Sequence, residues 1–294
     1  MKKLFPTLIC TILTANTFAN QFKCDLTNSS ILANGVSMKD LSCEDSTTRK
    51  VSVHVITADA KLVNFQPMGL SGPDDKKLKT LTKIADNSQL KSKIIAGING
   101  GFFNMTTQGY KDDICPTKTD LNYGEGDSYL RINNVDWAKN CLSRPVVAFE
   151  KNLPPMIVPF LNPDESLGPI ILDVIGGGPT LVIDKKINID NYDQDKNKKY
   201  PWLNSRAART AIGVNGNSVY LVNIEAKKGD YNTGMTIPEL ANFMLETLGS
   251  SSAMNLDGGG SSTMCKGSNC SILVNNPTDG KERVIHDGLF ILKK

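Results

Sequence analysis

Six cysteines behind an export-type leader constrain this chain more than any other feature, because they fix both the compartment it folds in and the staples it carries. Lys2 and Lys3 precede an apolar run from Leu4 to Leu13, and Thr17-Phe18-Ala19 places small residues where a signal peptidase reads. Residues 1–19 therefore read as a cleavable signal peptide, and Cys10 belongs to it. Export to an oxidising compartment favours disulfides. Pairing neighbours in sequence gives the simplest scheme: Cys24 with Cys43, Cys115 with Cys141, and Cys265 with Cys270 across a hairpin. A zinc site is the weaker reading, since the spacings are irregular and only His54 and His286 exist to complete one.

The leader's apolar run is too short to span a bilayer, and no later segment approaches the ~20 apolar residues of a membrane helix. A secreted or periplasmic protein without a membrane span is expected. Formal charge is +3 with the leader lysines counted, and the basic residues are interspersed with acids, so nucleic acid is not an expected partner. No Pro/Ser-rich linker divides residues 20–294, which predicts one domain opened by a cysteine-flanked segment, 20–49. The oligomeric state is left open.

Lys50 to Ile56 alternates as a half-buried strand does, with His54 an ordinary strand residue. Apolar positions between Lys76 and Leu90 recur at helical spacing, and Lys93 to Ile98 reads as a buried strand. Residues 104–142 are polar and aperiodic, a loop insertion held by a bridge that reads equally as a lid or as a decorated surface loop, in which Glu125 and Asp127 are exposed acids. Arg209–Val214 and Ser218–Ile224 flank Asn215-Gly216-Asn217, a strong hairpin signal. Thr236-Ile237-Pro238-Glu239 carries a capping box ahead of a helix that ends at Gly249. Residues 188–199 are acidic and asparagine-rich but lack the ligand order of a calcium loop, and read as a solvated loop. The pattern predicts an α+β fold with mixed or antiparallel sheets, hairpins and a few packed helices.

Three glycine-rich loops, each beside an expected strand, carry the functional signal: Gly97–Asn104, Gly176–Thr180 and Asp257–Thr263. Glycines let backbone N–H groups approach a ligand closely. One such loop is an ordinary tight turn; three suggest a shared pocket. None has the spacing of a phosphate-binding nucleotide loop, and the nucleophile-elbow sequence GxSxG is absent. With two histidines in the chain, carboxylates are the expected catalysts: Asp257 at a strand end before three glycines, then Glu225 at the end of the hairpin.

Asn99-Gly100-Gly101-Phe102-Phe103, Gly177-Gly178-Pro179, Arg209-Thr210-Ala211-Ile212-Gly213, Thr233-Gly234-Met235-Thr236 and Asn255-Leu256-Asp257-Gly258-Gly259-Gly260-Ser261-Ser262-Thr263-Met264 resemble, in order, the motifs of the phosphodiester glycosidase family. The resemblance runs from about the first expected strand to the C-terminus, including Val274-Asn275-Asn276-Pro277. It implies hydrolysis of a sugar joined through its anomeric carbon to a phosphodiester, releasing free sugar and a phosphomonoester. A phosphate leaves without the acid catalysis an alkoxide needs. The implied site then has Asp257 as base or nucleophile, Arg209 as a bidentate phosphate clamp and Glu225 as a second carboxylate that orients sugar hydroxyls or assists proton transfer. Asn99, Gly101, Gly178, Thr210, Gly258, Gly259, Ser261 and Ser262 are the implied substrate contacts, while Thr236 only caps its helix. No cofactor or metal is expected. The chain departs from the family in carrying Glu225-Ala226-Lys227 where Asp-Gly-Arg is common. The competing readings are a non-catalytic module that binds envelope or extracellular glycan, and a metal-dependent attack at phosphorus.

Overall fold

The computed structural model describes residues 22–69, 77–105, 123–138, 144–161, 167–189, 201–230 and 232–294. The leader, residues 188–199 in large part, and Cys115 with Cys141 lie outside them.

Among the described residues, eighteen strands form three sheets. The largest has the order β1(Phe22–Ala33), β2(Val36–Asp45), β3(Lys50–Asp59), β14(Ser218–Ile224), β13(Arg209–Asn215), β15(Ser252–Asn255), β11(Thr180–Ile183), β12(Lys186–Ile187). A second runs β7(Val135–Ala138), β6(Leu130–Ile132), β10(Ile171–Gly176), β8(Val146–Glu150), β9(Met156–Val158). The third runs β17(Ile272–Leu273), β16(Met264–Lys266), β5(Ile94–Asn99), β18(Gly288–Lys293), β4(Val63–Met68). Every strand pair among the described residues is antiparallel. The chain is therefore more β-rich than an even α+β mixture.

Period-two side-chain alternation gives the large sheet two distinct faces. Its inner face (Met38, Ile56, Leu221, Ile212, Met254) packs against Ile98, Leu130, Val147, Ile175 and Leu289 from the two smaller sheets. Its outer face (Val53, Val55, Val222, Ile224, Ala211) is covered by Ile237, Leu240, Phe243 and Met244. These belong to α2(Ile237–Asn242) and the π-helical turn that continues it over Phe243–Thr247. The capping box at Thr236 and Glu239 is present, and Gly249 follows at φ +66°.

The helix expected over 76–90 is shorter, α1(Leu81–Asn87), capped by the Thr80 hydroxyl. Thr80 offers the backbone a competing local hydrogen bond and so begins the helix rather than continuing it. The segment 104–142 is not wholly loop: its end forms the β6–β7 hairpin. Cys24 pairs with Cys43 across β1 and β2, and Cys265 with Cys270 beside the β16–β17 hairpin. These four cysteines are thereby removed from any zinc site.

Candidate active site

The inner face of the large sheet changes character at one end. Two residues beyond the apolar row Met38, Ile56, Leu221 and Ile212 lies the polar row Asp40, His54, Asn223 and Thr210, each opposite the next across adjacent strands. The three glycine loops gather at this end.

Asn99, at the end of β5, organises them. Its amide donates to the Asp257 carbonyl at 2.8 Å, while its side-chain oxygen accepts from the Thr210 hydroxyl at 2.6 Å and the Thr263 N–H at 3.0 Å. The Asp257 N–H donates to the Gly100 carbonyl, joining the first loop to the third. Asn255 joins the second: the Gly178 N–H donates to the Asn255 carbonyl at 2.7 Å, and the Asn255 amide returns a bond of 2.7 Å to the Gly178 carbonyl. Close approach explains the glycines. A Cβ on Gly101 would lie 2.7 Å from the Gly176 carbonyl oxygen, and one on Gly177 2.5 Å from that of Asn255. Both obstacles are backbone, which cannot rotate aside.

Asp257 sits at the focus. It keeps partial exposure while protein surrounds its carboxylate, and this burial pushes its pKa up to about 6. The neighbouring negative charge of Asp127 adds to the rise; the Ser261 hydroxyl, the Gly258 N–H at 2.8 Å and the charge of Arg283 oppose it. At neutral pH the group is ionised and basic enough to take a proton or attack an electrophilic carbon.

Two charged residues that sequence reasoning missed thus bear on Asp257. Asp127, expected to be an exposed acid, is half-buried, with Oδ2 3.4 Å from the Arg144 guanidinium and Oδ1 buried without a hydrogen-bond partner among the described residues. Arg144 in turn lies 4.7 Å over the Phe102 ring of the first loop. Arg283 is held by Asp279 through two bonds of 2.9 and 2.6 Å, and a Cβ on Gly260 would come 1.9 Å from its Nη2. Gly260 is therefore the gap through which the guanidinium reaches the third loop.

Arg209 is placed differently from its expected role. It is buried, and three N–H bonds go to the backbone carbonyls of Met235, Trp202 and Ser205 at 3.0, 2.9 and 2.6 Å. Burial lowers its pKa to about 10, against the opposing charge of Glu239. This arginine ties two chain segments to the base of the third loop. Asn99 and Thr210 are likewise buried and bonded internally, so they shape the loops. Gly258 and Gly259 are partly exposed, whereas Ser261 and Ser262 are buried, the Ser261 hydroxyl facing the Asp257 carboxylate and that of Ser262 without a hydrogen-bond partner among the described residues. Gly101 donates its N–H to the Asp287 carboxylate at 3.0 Å, and Gly178 is buried ahead of a cis proline.

Glu225 binds His54 at 3.0 Å and the Asn276 N–H at 2.7 Å through the same carboxylate oxygen. Burial alone would raise its pKa; these partners outweigh it and hold the group below its ordinary value. His54 is thus no ordinary strand residue. The sequence sign was its place one strand away from Glu225 on the same face.

A sequence model of the phosphodiester glycosidase family matches residues 92–292. The chain belongs to the phosphodiester glycosidase family. The matched span contains all three glycine loops, Asp127, Glu225, Asp257 and Arg283. Among solved structures, the chain is similar to the zebrafish N-acetylglucosamine-1-phosphodiester alpha-N-acetylglucosaminidase catalytic domain auto-inhibited by its pro-peptide. That likeness has 19% identity and a TM-score of 0.70, over 93% of this chain and 89% of the other. A hypothetical protein from Synechocystis matches at 12% identity and TM-score 0.68 over 93% and 68% of the two chains. An exported protein from Burkholderia pseudomallei K96243 matches at 14% and 0.58 over 92% and 96%. These likenesses are of fold. No curated protein matches the sequence.

Proposed function

We propose that this phosphodiester glycosidase hydrolyses a sugar-1-phosphodiester at the anomeric carbon. The bond from C1 to the bridging phosphate oxygen breaks, its electron pair leaves with the phosphate, and water supplies the hydroxyl of the free sugar. The observation that carries this reading is the convergence of three glycine loops on one raised-pKa carboxylate, Asp257, with an arginine acting on the same group.

Asp257 is the base that activates water or the nucleophile that attacks C1. Positive charge at the departing phosphate lowers the barrier, since the phosphodiester monoanion becomes a monoester dianion as the bond breaks. Arg283 is the cation we assign to that task, in place of Arg209, whose bonds to three carbonyls suit a positioning role. The partly exposed Gly258 and Gly259 line the approach to Asp257, their N–H groups holding the loop in place through the Asp257 carboxylate and the Ala208 carbonyl. Asp127 raises the basicity of Asp257 through like charge. Glu225 remains a candidate for the sugar hydroxyls, because its second oxygen has only a 3.4 Å contact with the Asn276 amide. Two disulfides and the leader-like N-terminus support a site of action outside the cytosol, in a periplasm or the extracellular space.

The experiment is turnover by purified, oxidised protein on a panel of sugar-1-phosphodiesters, read as free reducing sugar, beside Asp257→Asn. Release that disappears in the variant supports the assignment. Glycan binding with no release in any form would instead support a binding module.

A further inference from the structure

We propose that His54 is a positioning residue: it clamps Glu225 against the segment that delivers Arg283, so that the geometry of the site depends on the charge of the imidazole. The inference rests on the reading above, in which Asp257 and Arg283 meet the substrate.

Directly opposed residues on an antiparallel pair have Cβ atoms about 4.5–5.5 Å apart. The row Asp40, His54, Asn223 and Thr210 is therefore a continuous polar track from β2 to the Asn99 hub. Within it both ring nitrogens of His54 face carboxylate oxygens, Nδ1 with Asp40 at 2.6 Å and Nε2 with Glu225 at 3.0 Å. A neutral imidazole has one N–H and one lone pair, so it satisfies one of these contacts and repels the other; only the imidazolium donates to both. The charged groups acting on the ring are Asp40 from β2 and Glu225 from the end of β14, while Asn223 beside it and Asn276 beyond Glu225 are neutral. Burial would lower the pKa of His54, but bonds to the two carboxylates outweigh it and raise it.

From Glu225 the connection runs onward. Asn276 donates to Glu225 through its backbone and its side chain, at 2.7 and 3.2 Å. Its neighbour Asn275 donates to the Ser262 carbonyl at 3.0 Å and accepts from the Met264 N–H at 2.8 Å. Three residues further, Asp279 holds Arg283 in the gap left by Gly260. Loss of the imidazole proton turns one clamp contact repulsive, freeing Glu225 and with it the segment from Asn276 to Arg283.

The chain has two histidines, so an imidazole spectrum contains two titrating residues, and His54→Gln assigns them. Asp40→Asn serves as a second variant that keeps the ring. Backbone amides of Asn276, Ser261 and Ser262 are followed by NMR from pH 5 to 9, alongside turnover of the sugar-1-phosphodiester panel. The proposal expects the amides to shift with the midpoint of His54, that midpoint to fall in Asp40→Asn, and kcat rather than KM to decline at the same midpoint. In His54→Gln both transitions disappear and kcat drops about tenfold at pH 6. Amides that ignore the titration of His54, or an alkaline limb in kcat that survives His54→Gln, overturn it; the acidic limb belongs to Asp257 and remains. Coupled amides without turnover of any substrate would refute the catalytic reading and leave the clamp standing.

Discussion

Asp257→Asn should make the protein more stable while making it inactive. The carboxylate has a pKa of about 6 in the fold against 3.8 for an unperturbed group. At pH 8 it is ionised both folded and unfolded, so folding carries the full cost of holding the charge among protein atoms. A difference of roughly 2 units corresponds to about 3 kcal/mol. Asparagine has nearly the same shape without the charge and loses only part of the bonding to the Gly258 N–H, so the net gain should be on the order of 1–3 kcal/mol. The advantage depends on pH in a defined way. Between pH 4 and pH 6 the folded state binds more protons than the unfolded one, so the wild type gains stability on acidification through that window, and the advantage of the variant closes. Urea denaturation at pH 8 and pH 4, with the disulfides intact, reads both values. A variant no more stable than wild type at pH 8, or a difference independent of pH, would refute the claim that the fold holds this carboxylate at a cost.

Gly260→Ala places a methyl 1.9 Å from Arg283 Nη2 and 2.3 Å from Asp279 Oδ2; kcat/KM should fall by about a hundredfold as the ion pair is pushed from the third loop, checked by steady-state kinetics and a circular dichroism spectrum unchanged from wild type. Arg283→Lys keeps the charge but not the planar fork, and should lower kcat/KM about 10- to 100-fold on phosphodiester substrates. Replacing Cys24 and Cys43 together by serine opens a loop with a sequence separation of 19 and should lower unfolding free energy by about 3 kcal/mol, read by urea titration. Thr236→Ala removes the capping hydroxyl of α2 and should lower it by about 1 kcal/mol with little effect on turnover.

The parts of this molecule that were legible in its sequence are those governed by local chemistry. The Asn215-Gly216-Asn217 turn, the capping box at Thr236 and the alternation along Lys50–Ile56 each act within a few residues, and each is found where expected. The glycine loops were readable as a group because only close backbone approach explains so many beside strands. What they approach is one another, through Asn99 and Asn255. Arg209 illustrates the limit: its motif position marked it as important, but whether a guanidinium meets a ligand or three backbone carbonyls is decided by Trp202, Ser205 and Met235. Asp127 and Arg283 lie in segments with no periodicity, and only the folded chain brings their charge to Asp257. His54 was hidden for the opposite reason, since a polar residue in an alternating strand looks solvent-facing. Its partners, Asp40 in β2 and Glu225 just past the end of β14, come from other parts of the chain.

The central claim is that Asp257 drives cleavage at the anomeric carbon. The most direct measurement is hydrolysis of an active sugar-1-phosphodiester in 18O-labelled water, with the label located by mass spectrometry, for the wild type and Asp257→Asn. The account predicts label in the released sugar, none in the phosphomonoester, and no release by the variant. Label in the phosphate, or undiminished release by Asp257→Asn, would contradict it.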